Sequence, residues 1–137
     1  MRDPQAWGKA LLRITLGIIF VMHGYLHWTR GAPAAAKTIT QMGFPSEFSA
    51  TLAWYLIIVH VAGGALMVIG FWTRLAAFLQ LPIMLAAVAL LHARQGFDKL
   101  EYPLLLLIGA LAVVLLGPGT LAIDKAAGSG GSRRRGA

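Results

Sequence analysis

The chain has no cysteine and few charged residues. The absence of cysteine excludes disulfide bonds, thiolate metal sites and a Cys-x-x-Cys redox relay. Charged residues make up 12% of the chain, against about 25% in an ordinary soluble domain. Hydrophobic residues make up 58% of the 137 positions. These proportions indicate a protein that lies mostly in lipid, and the length is that of a single domain.

Four long apolar runs hold most of the hydrophobic residues. A helix needs about 20 mainly apolar residues to cross the core of a bilayer. None of the runs shows the sustained alternation of a strand, and each is too long for one. The sequence therefore predicts an all-α fold, a four-helix transmembrane bundle. The predicted helices cover residues of about 10–28, 49–72, 75–93 and 100–116.

The connections between these helices differ in length. Residues 29–48 contain two glycines and two prolines, which predicts a loop with a short interfacial helix at residues 34–41. Thr73 and Arg74 are almost all that separates the second helix from the third. The second and third helices are therefore expected to form a tight antiparallel hairpin, with Arg74 in a cytoplasmic turn.

The end of the chain has a different composition from the rest. Residues 1–125 are assigned to one transmembrane domain, and residues 126–137 to a disordered basic tail, because GSGGSRRRGA is of low complexity. The net charge of +7 indicates contact with anionic headgroups of the lipid bilayer. Nucleic acid is not a predicted partner.

The distribution of lysine and arginine predicts the orientation, because basic residues near helix ends favour the cytoplasmic side. The side that holds both termini has eight: Arg2, Lys9, Arg13, Arg74, Lys125, Arg133, Arg134 and Arg135. The other side has four: Arg30, Lys37, Arg94 and Lys99. Both termini are therefore expected in the cytoplasm.

All four histidines fall inside or at the rim of the predicted spans, where a polar group needs a partner or a function. Under the predicted topology they lie at a similar depth to one carboxylate, in the outer half of the bundle. Imidazoles beside a carboxylate can hold a metal, bind a quinone carbonyl or relay protons. The alternative is that they clamp the helices by hydrogen bonds. The predicted polar pocket consists of His23, His27, His60, His92 and Glu101.

Cofactor motifs are scarce. His23 and His27 have the i, i+4 spacing that lets two imidazoles share an ion, but no metal site is assigned to this pair alone. The cofactor is therefore unknown from the sequence: the chain has no haem motif and no thiol, and a quinone is possible.

Small and basic residues suggest how the helices pack. Gly63, Gly64 and Gly70 predict close helix packing along the second span. Arg13 and Arg74 are expected to extend their charged groups to the membrane surface.

Several segments, in this order, resemble the DoxX family of small bacterial membrane proteins. They are Arg13-Ile-Thr-Leu-Gly17 with His23-Gly24, then Gly43-Phe-Pro45, Gly63-Gly64, Gly70-Phe-Trp-Thr-Arg74, Glu101-Tyr102, and Leu116-Gly-Pro-Gly119 with Asp124. The resemblance implies a four-helix bundle in the bacterial plasma membrane and a link to redox systems. Some relatives form part of a thiosulfate:quinone oxidoreductase, and others associate with enzymes of oxidative-stress defence.

Two positions depart from the family pattern. The family commonly has lysine at the position of His27 and glutamate at the position of His60. If these positions face each other, a Lys–Glu pair has become a His–His pair, which keeps a polar contact and lowers the cost of burying charge. Glu101 is then the only acidic candidate near the pocket.

The favoured functional expectation is a non-catalytic membrane partner or assembly subunit of a redox system. One alternative is a quinone-linked oxidoreductase membrane subunit with a polar His/Glu site, and a further one is a small-solute or proton carrier. Electrons would have to come from a quinone or a partner, because the chain has no thiols. A protein of a redox or oxidative-stress system and a second copy of the chain both stay open as partners.

Overall fold

The computed structural model describes residues 3–124, and the tail predicted at 126–137 lies outside this range. The described residues form five helices and no strand: α1 (Pro4–Arg30), α2 (Ala32–Gln41), α3 (Ser46–Ile69), α4 (Thr73–Arg94) and α5 (Phe97–Leu116). All except α2 are long and apolar enough to cross a membrane. The predicted all-α fold with four spans is confirmed.

The first helix begins at Pro4, earlier than the predicted start near residue 10. Asp3 explains the difference, because its side chain caps the helix by accepting a hydrogen bond from the Gln5 backbone N–H at 3.0 Å. Proline also favours the first turn of a helix. The added residues 4–9 mix polar and apolar types, so the apolar run did not reveal them.

Helices α1 and α3 approach each other through glycines. A Cβ atom on Gly17 would lie 2.7 Å from the carbonyl oxygen of Gly64, and one on Gly64 would lie 2.8 Å from the carbonyl oxygen of Gly17. Backbone atoms cannot move aside as a side chain can, so only glycine allows this contact. Gly63 faces α4 instead, where a Cβ would lie 2.9 Å from the Gln80 amide nitrogen.

Two of the long helices contain a wide π-helical turn. In α3 this turn covers Val59–Gly63, and in α4 it covers Ala87–Leu91. The Gln80 side chain donates a hydrogen bond of 2.8 Å to the carbonyl of Val59, the first residue of the α3 turn. Such turns are frequent at functional sites. Both lie next to histidines, because the α3 turn contains His60 and the α4 turn is followed by His92.

Arg13 does not extend to the membrane surface, and the prediction that it would is wrong. Its side chain is fully buried. All five N–H donors of the guanidinium find acceptors. The acceptors are the backbone carbonyls of Met67, Val68, Pro118, Thr120 and Leu121. Arg13 therefore joins the end of α3 to the segment after α5, whereas Arg74 at this end is exposed.

The segment Gly117–Asp124, called the C-terminal clasp below, crosses this end of the bundle. The Asp124 carboxylate accepts hydrogen bonds of 2.8 Å from the backbone N–H groups of both Trp72 and Thr73. Its own N–H donates to the carbonyl of Gly70, which ends α3 in the left-handed conformation with φ of 73°. Asp124 thus caps the start of α4 from a distant part of the chain.

The charge of Asp124 suits this capping role. Partial burial raises the pKa of the carboxyl, but the hydrogen bonds from Thr73 and Trp72 and the charge of Arg13 outweigh it, so the net pKa lies below its ordinary value. The group is consequently ionised at neutral pH, as a helix N-terminus favours.

Candidate functional site

The four histidines line one cavity of about 490 Å³ at the end of α1 remote from Arg13. His23 and His27 come from α1, His60 from α3 and His92 from the end of α4. A volume of this size lies within the range of small-molecule sites, roughly 300–1,000 Å³. Helix α5 supplies the remaining wall, and α2 adds residues at the rim.

The histidine rings are close to one another. The centroid of the His23 ring lies 6.5 Å from the centroids of both His27 and His60. The Tyr102 ring stacks on His23 at 5.7 Å, with an angle of 29° between the planes. His23 is therefore the centre of the cluster and links α1, α3 and α5.

His60 is the most deeply placed of the four. Only 2% of its surface is exposed, and Phe20 packs edge-on against its ring at 5.3 Å. Its Nδ1 atom has no hydrogen-bond partner among the described residues. A buried polar atom of this kind calls for an explanation. Gly24 makes room for His60, because a Cβ on Gly24 would lie 2.8 Å from the His60 Cβ.

The tautomer of His92 follows from its neighbour. Its Nδ1 atom lies 2.8 Å from the backbone carbonyl oxygen of Ala87. A carbonyl oxygen only accepts hydrogen bonds, so Nδ1 carries the proton and donates. In the neutral ring, Nε2 is then an acceptor. The π-helical turn that begins at Ala87 thus fixes the chemical character of His92.

The predicted carboxylate does not join the histidines. Glu101 is exposed and is not among the residues that line the cavity. Its neighbour Tyr102 lines the cavity in its place. Asp98, Lys99 and Arg30 also line it. Asp98 and Lys99 form an exposed ion pair of 3.6 Å.

The sequence does not single out Tyr102 over Glu101. Residues four apart share a helix face, but Glu101 and Tyr102 are both followed four residues later by a leucine, and only the structure shows that Tyr102 and Leu106 line the cavity. Glu101 is one position away, which turns it by about 100° at 3.6 residues per turn. The residue of α5 was predicted from its depth in the membrane alone, without the direction in which its side chain leaves the helix axis.

The cluster offers hydrogen-bond donors, acceptors and flat rings rather than a metal site. Within the described residues, no group of three or more His, Asp or Glu side chains is arranged to hold a metal ion. Neutral imidazoles can donate to a carbonyl and accept from a hydroxyl. Such groups suit a planar organic ligand that carries oxygen atoms.

Four apolar helices around a partly polar cavity define a multi-pass membrane protein. The chain belongs to the DoxX family, whose model matches residues 8–93, a range that includes all four histidines. It is also similar to a protein of Bacillus subtilis (strain 168) named "Putative oxidoreductase CatD", with 29% identity over 118 residues, 85% of this chain and 84% of that protein. No solved structure matches the chain.

Proposed function

We propose that the protein is a membrane subunit of a redox system that binds the headgroup of a quinone in the histidine cavity. The observation that carries the proposal is the convergence of four histidines from three helices on one cavity. The name of the Bacillus relative, "Putative oxidoreductase CatD", supports the redox assignment. The subunit itself is non-catalytic in this proposal, and a partner protein supplies the electrons, because the chain has no cysteine.

The cavity residues fit a quinone headgroup in three respects. His60 lines the cavity while its buried Nδ1 has no hydrogen-bond partner among the described residues, so the ring is free to take the tautomer that a ligand oxygen requires. The His92 Nε2 accepts hydrogen bonds, which suits the hydroxyl group of a reduced headgroup. His23 and Tyr102 present stacked rings, a surface that suits another flat ring.

The protein's own contribution would be binding, orientation and proton handling. A bound quinone supplies two-electron chemistry coupled to protons. His60 and His23 would hold the headgroup by hydrogen bonds, and the apolar walls at Leu56 and Leu106 would limit the access of water. His27, next to Arg30 at the rim, would pass protons between the cavity and the aqueous side.

We further propose that the membrane is the bacterial plasma membrane and that both termini lie in the cytoplasm. The excess of basic residues on the side of the termini supports this orientation, at eight against four. The histidine cavity then faces the outer side.

A thermal unfolding experiment tests the ligand. A tail-free ubiquinone headgroup is expected to raise the unfolding midpoint of the wild-type protein in detergent, because a ligand that binds only the folded state stabilises it by about 2.7 kcal/mol at 100 times its dissociation constant. The variant His23→Phe/His60→Phe keeps two rings but removes their nitrogens. It is expected to show no rise with the ligand.

The matched control is Glu101→Gln, which changes an exposed side chain outside the cavity. This variant should respond to the headgroup as the wild type does. If the wild type shows no response to the headgroup, the quinone proposal is contradicted.

An assembly partner whose histidines only clamp the bundle is the second candidate. The contacts of His92 with Ala87 and of His23 with Tyr102 favour it, because they already satisfy part of the cluster within the protein. This candidate predicts a lower unfolding midpoint for the double variant, with no effect of the headgroup on either protein.

A further inference from the structure

A second cavity adjoins the histidine cavity. It has a volume of about 230 Å³ and lies between α2, α3 and α4. Leu56 and Ile83 line both cavities, so these two side chains form the wall between them. The two spaces are therefore neighbours separated by these two apolar side chains.

The second cavity is apolar. Its lining includes Ile39 and Phe44 on the side of α2 and Leu52 on α3. The one polar group in the lining is the hydroxyl of Tyr55, which donates a hydrogen bond of 3.0 Å to the carbonyl of Leu79 and so is already satisfied. This space offers nothing to a polar headgroup and suits a hydrocarbon.

The cavity also reaches the lipid-facing surface. Pro82 in α4 lines it and is exposed on the outside of the bundle. Proline lacks the N–H of a regular helix and disturbs the turn before it, and such breaks in membrane helices commonly line cavities. A chain that leaves the histidine cavity past Leu56 and Ile83 would thus emerge into lipid beside Pro82.

We propose that the apolar cavity holds the first part of the isoprenoid tail of the ligand whose headgroup lies among the histidines. The inference rests on the proposed function, because it assumes a headgroup in the histidine cavity. The position of the two cavities identifies the occupant. On one side of their shared wall is a polar site that suits a ring, and on the other side is an apolar route into the membrane. Leu56 and Ile83 then select for ligands with a tail, and Ala86 sets the space available to it.

Two ubiquinone analogues with the same headgroup test this route, one without a tail and one with a short isoprenoid tail. The variant Ala86→Phe fills the apolar cavity and leaves the histidine cavity unchanged, because Ala86 lines only the former. It is expected to weaken binding of the tailed analogue by about tenfold, the usual scale of discrimination in a hydrophobic pocket. Its affinity for the tail-free analogue is expected to stay within about twofold, well below that scale.

The control is Ala50→Phe, the same change at an exposed position of α3 outside both cavities, which should alter neither affinity. Comparing variants with one analogue at a time cancels the partitioning of that analogue into detergent. Leu52→Phe, which also lines only the apolar cavity, provides a second test if Ala86→Phe does not fold.

The outcomes separate the two proposals. Selective loss of the tailed analogue supports the tail route. The tail route is overturned if Ala86→Phe and Leu52→Phe bind the tailed analogue as tightly as the wild type does, or if they lose affinity for both analogues equally. Headgroup binding in the wild type still stands in both cases. If the wild type binds neither analogue, the proposed function itself fails.

Discussion

Replacing Arg13 by methionine is expected to lower the free energy of unfolding in detergent by about 3 kcal/mol or more, because backbone carbonyls at the bundle end lose a charged hydrogen-bond donor. The substitution keeps an unbranched apolar side chain but deletes five hydrogen bonds to backbone carbonyls. A carbonyl left unpaired in a buried place costs about 1–3 kcal/mol, and the individual costs do not simply add.

The matched control is Arg74→Met, the same change at an exposed arginine of the same end of the bundle. This control is expected to change the stability by about 0.5 kcal/mol or less. Arg13→Lys should fall between the two, because lysine keeps the charge but offers three donors. Equal unfolding midpoints for Arg13→Met and Arg74→Met would show that Arg13 does not hold the bundle end together.

Hydrogen exchange gives a second view of the same contact. The backbone N–H of Thr120 donates to Ala6 and that of Asp124 donates to Gly70, so both are protected while the C-terminal clasp is in place. Arg13→Met should speed the exchange of these two amides more than that of amides around His60. Uniform exchange changes along the chain would contradict a local role for Arg13.

Gly17→Ala is expected to destabilise the bundle by about 1–3 kcal/mol, the usual cost of forcing an extra group into a packed contact. The added methyl carbon would lie 2.7 Å from the Gly64 carbonyl oxygen and 2.9 Å from the Val68 backbone nitrogen. Helices α1 and α3 must then separate. The contact between these two helices also holds His23 near His60. The variant should therefore bind the quinone headgroup more weakly as well.

Gly8→Ala is the control on the same helix. A Cβ at Gly8 meets nothing within 4 Å, so the only effect is the better helix propensity of alanine. That effect is expected to stabilise the protein by about 0.5–1 kcal/mol. The two substitutions thus have opposite expected signs in thermal unfolding. A Gly17→Ala midpoint at or above that of Gly8→Ala would contradict the close contact of α1 with α3.

The four membrane-spanning helices followed from hydropathy alone, because apolar runs of this length in a bilayer favour helices. The similar depth of the histidines also followed from the predicted topology, but the sequence left open whether they meet. Rotation about each helix axis was harder to predict. That is why Glu101 was placed in the pocket and Tyr102 was not.

The prediction that Arg13 extends to the membrane surface was wrong because its partners are distant in the sequence. A lone arginine near the start of an apolar run is typical of a side chain that extends its charged group to the membrane surface. Its actual acceptors are carbonyls of residues 67, 68, 118, 120 and 121, more than 50 positions away in the chain. No local pattern in a single sequence indicates such partners, nor the π-helical turns that position His60 and His92.

The most direct measurement is photo-crosslinking of the wild-type protein in lipid with a quinone whose headgroup carries a photoreactive group, followed by peptide mapping. The account predicts labels on the α1 residues around His23, on the α3 turn Val59–Gly63 and near His92, with competition by unlabelled headgroup. Labels spread along the lipid-facing surfaces, or concentrated near Arg13 and the C-terminal clasp, would contradict a quinone site in the histidine cavity.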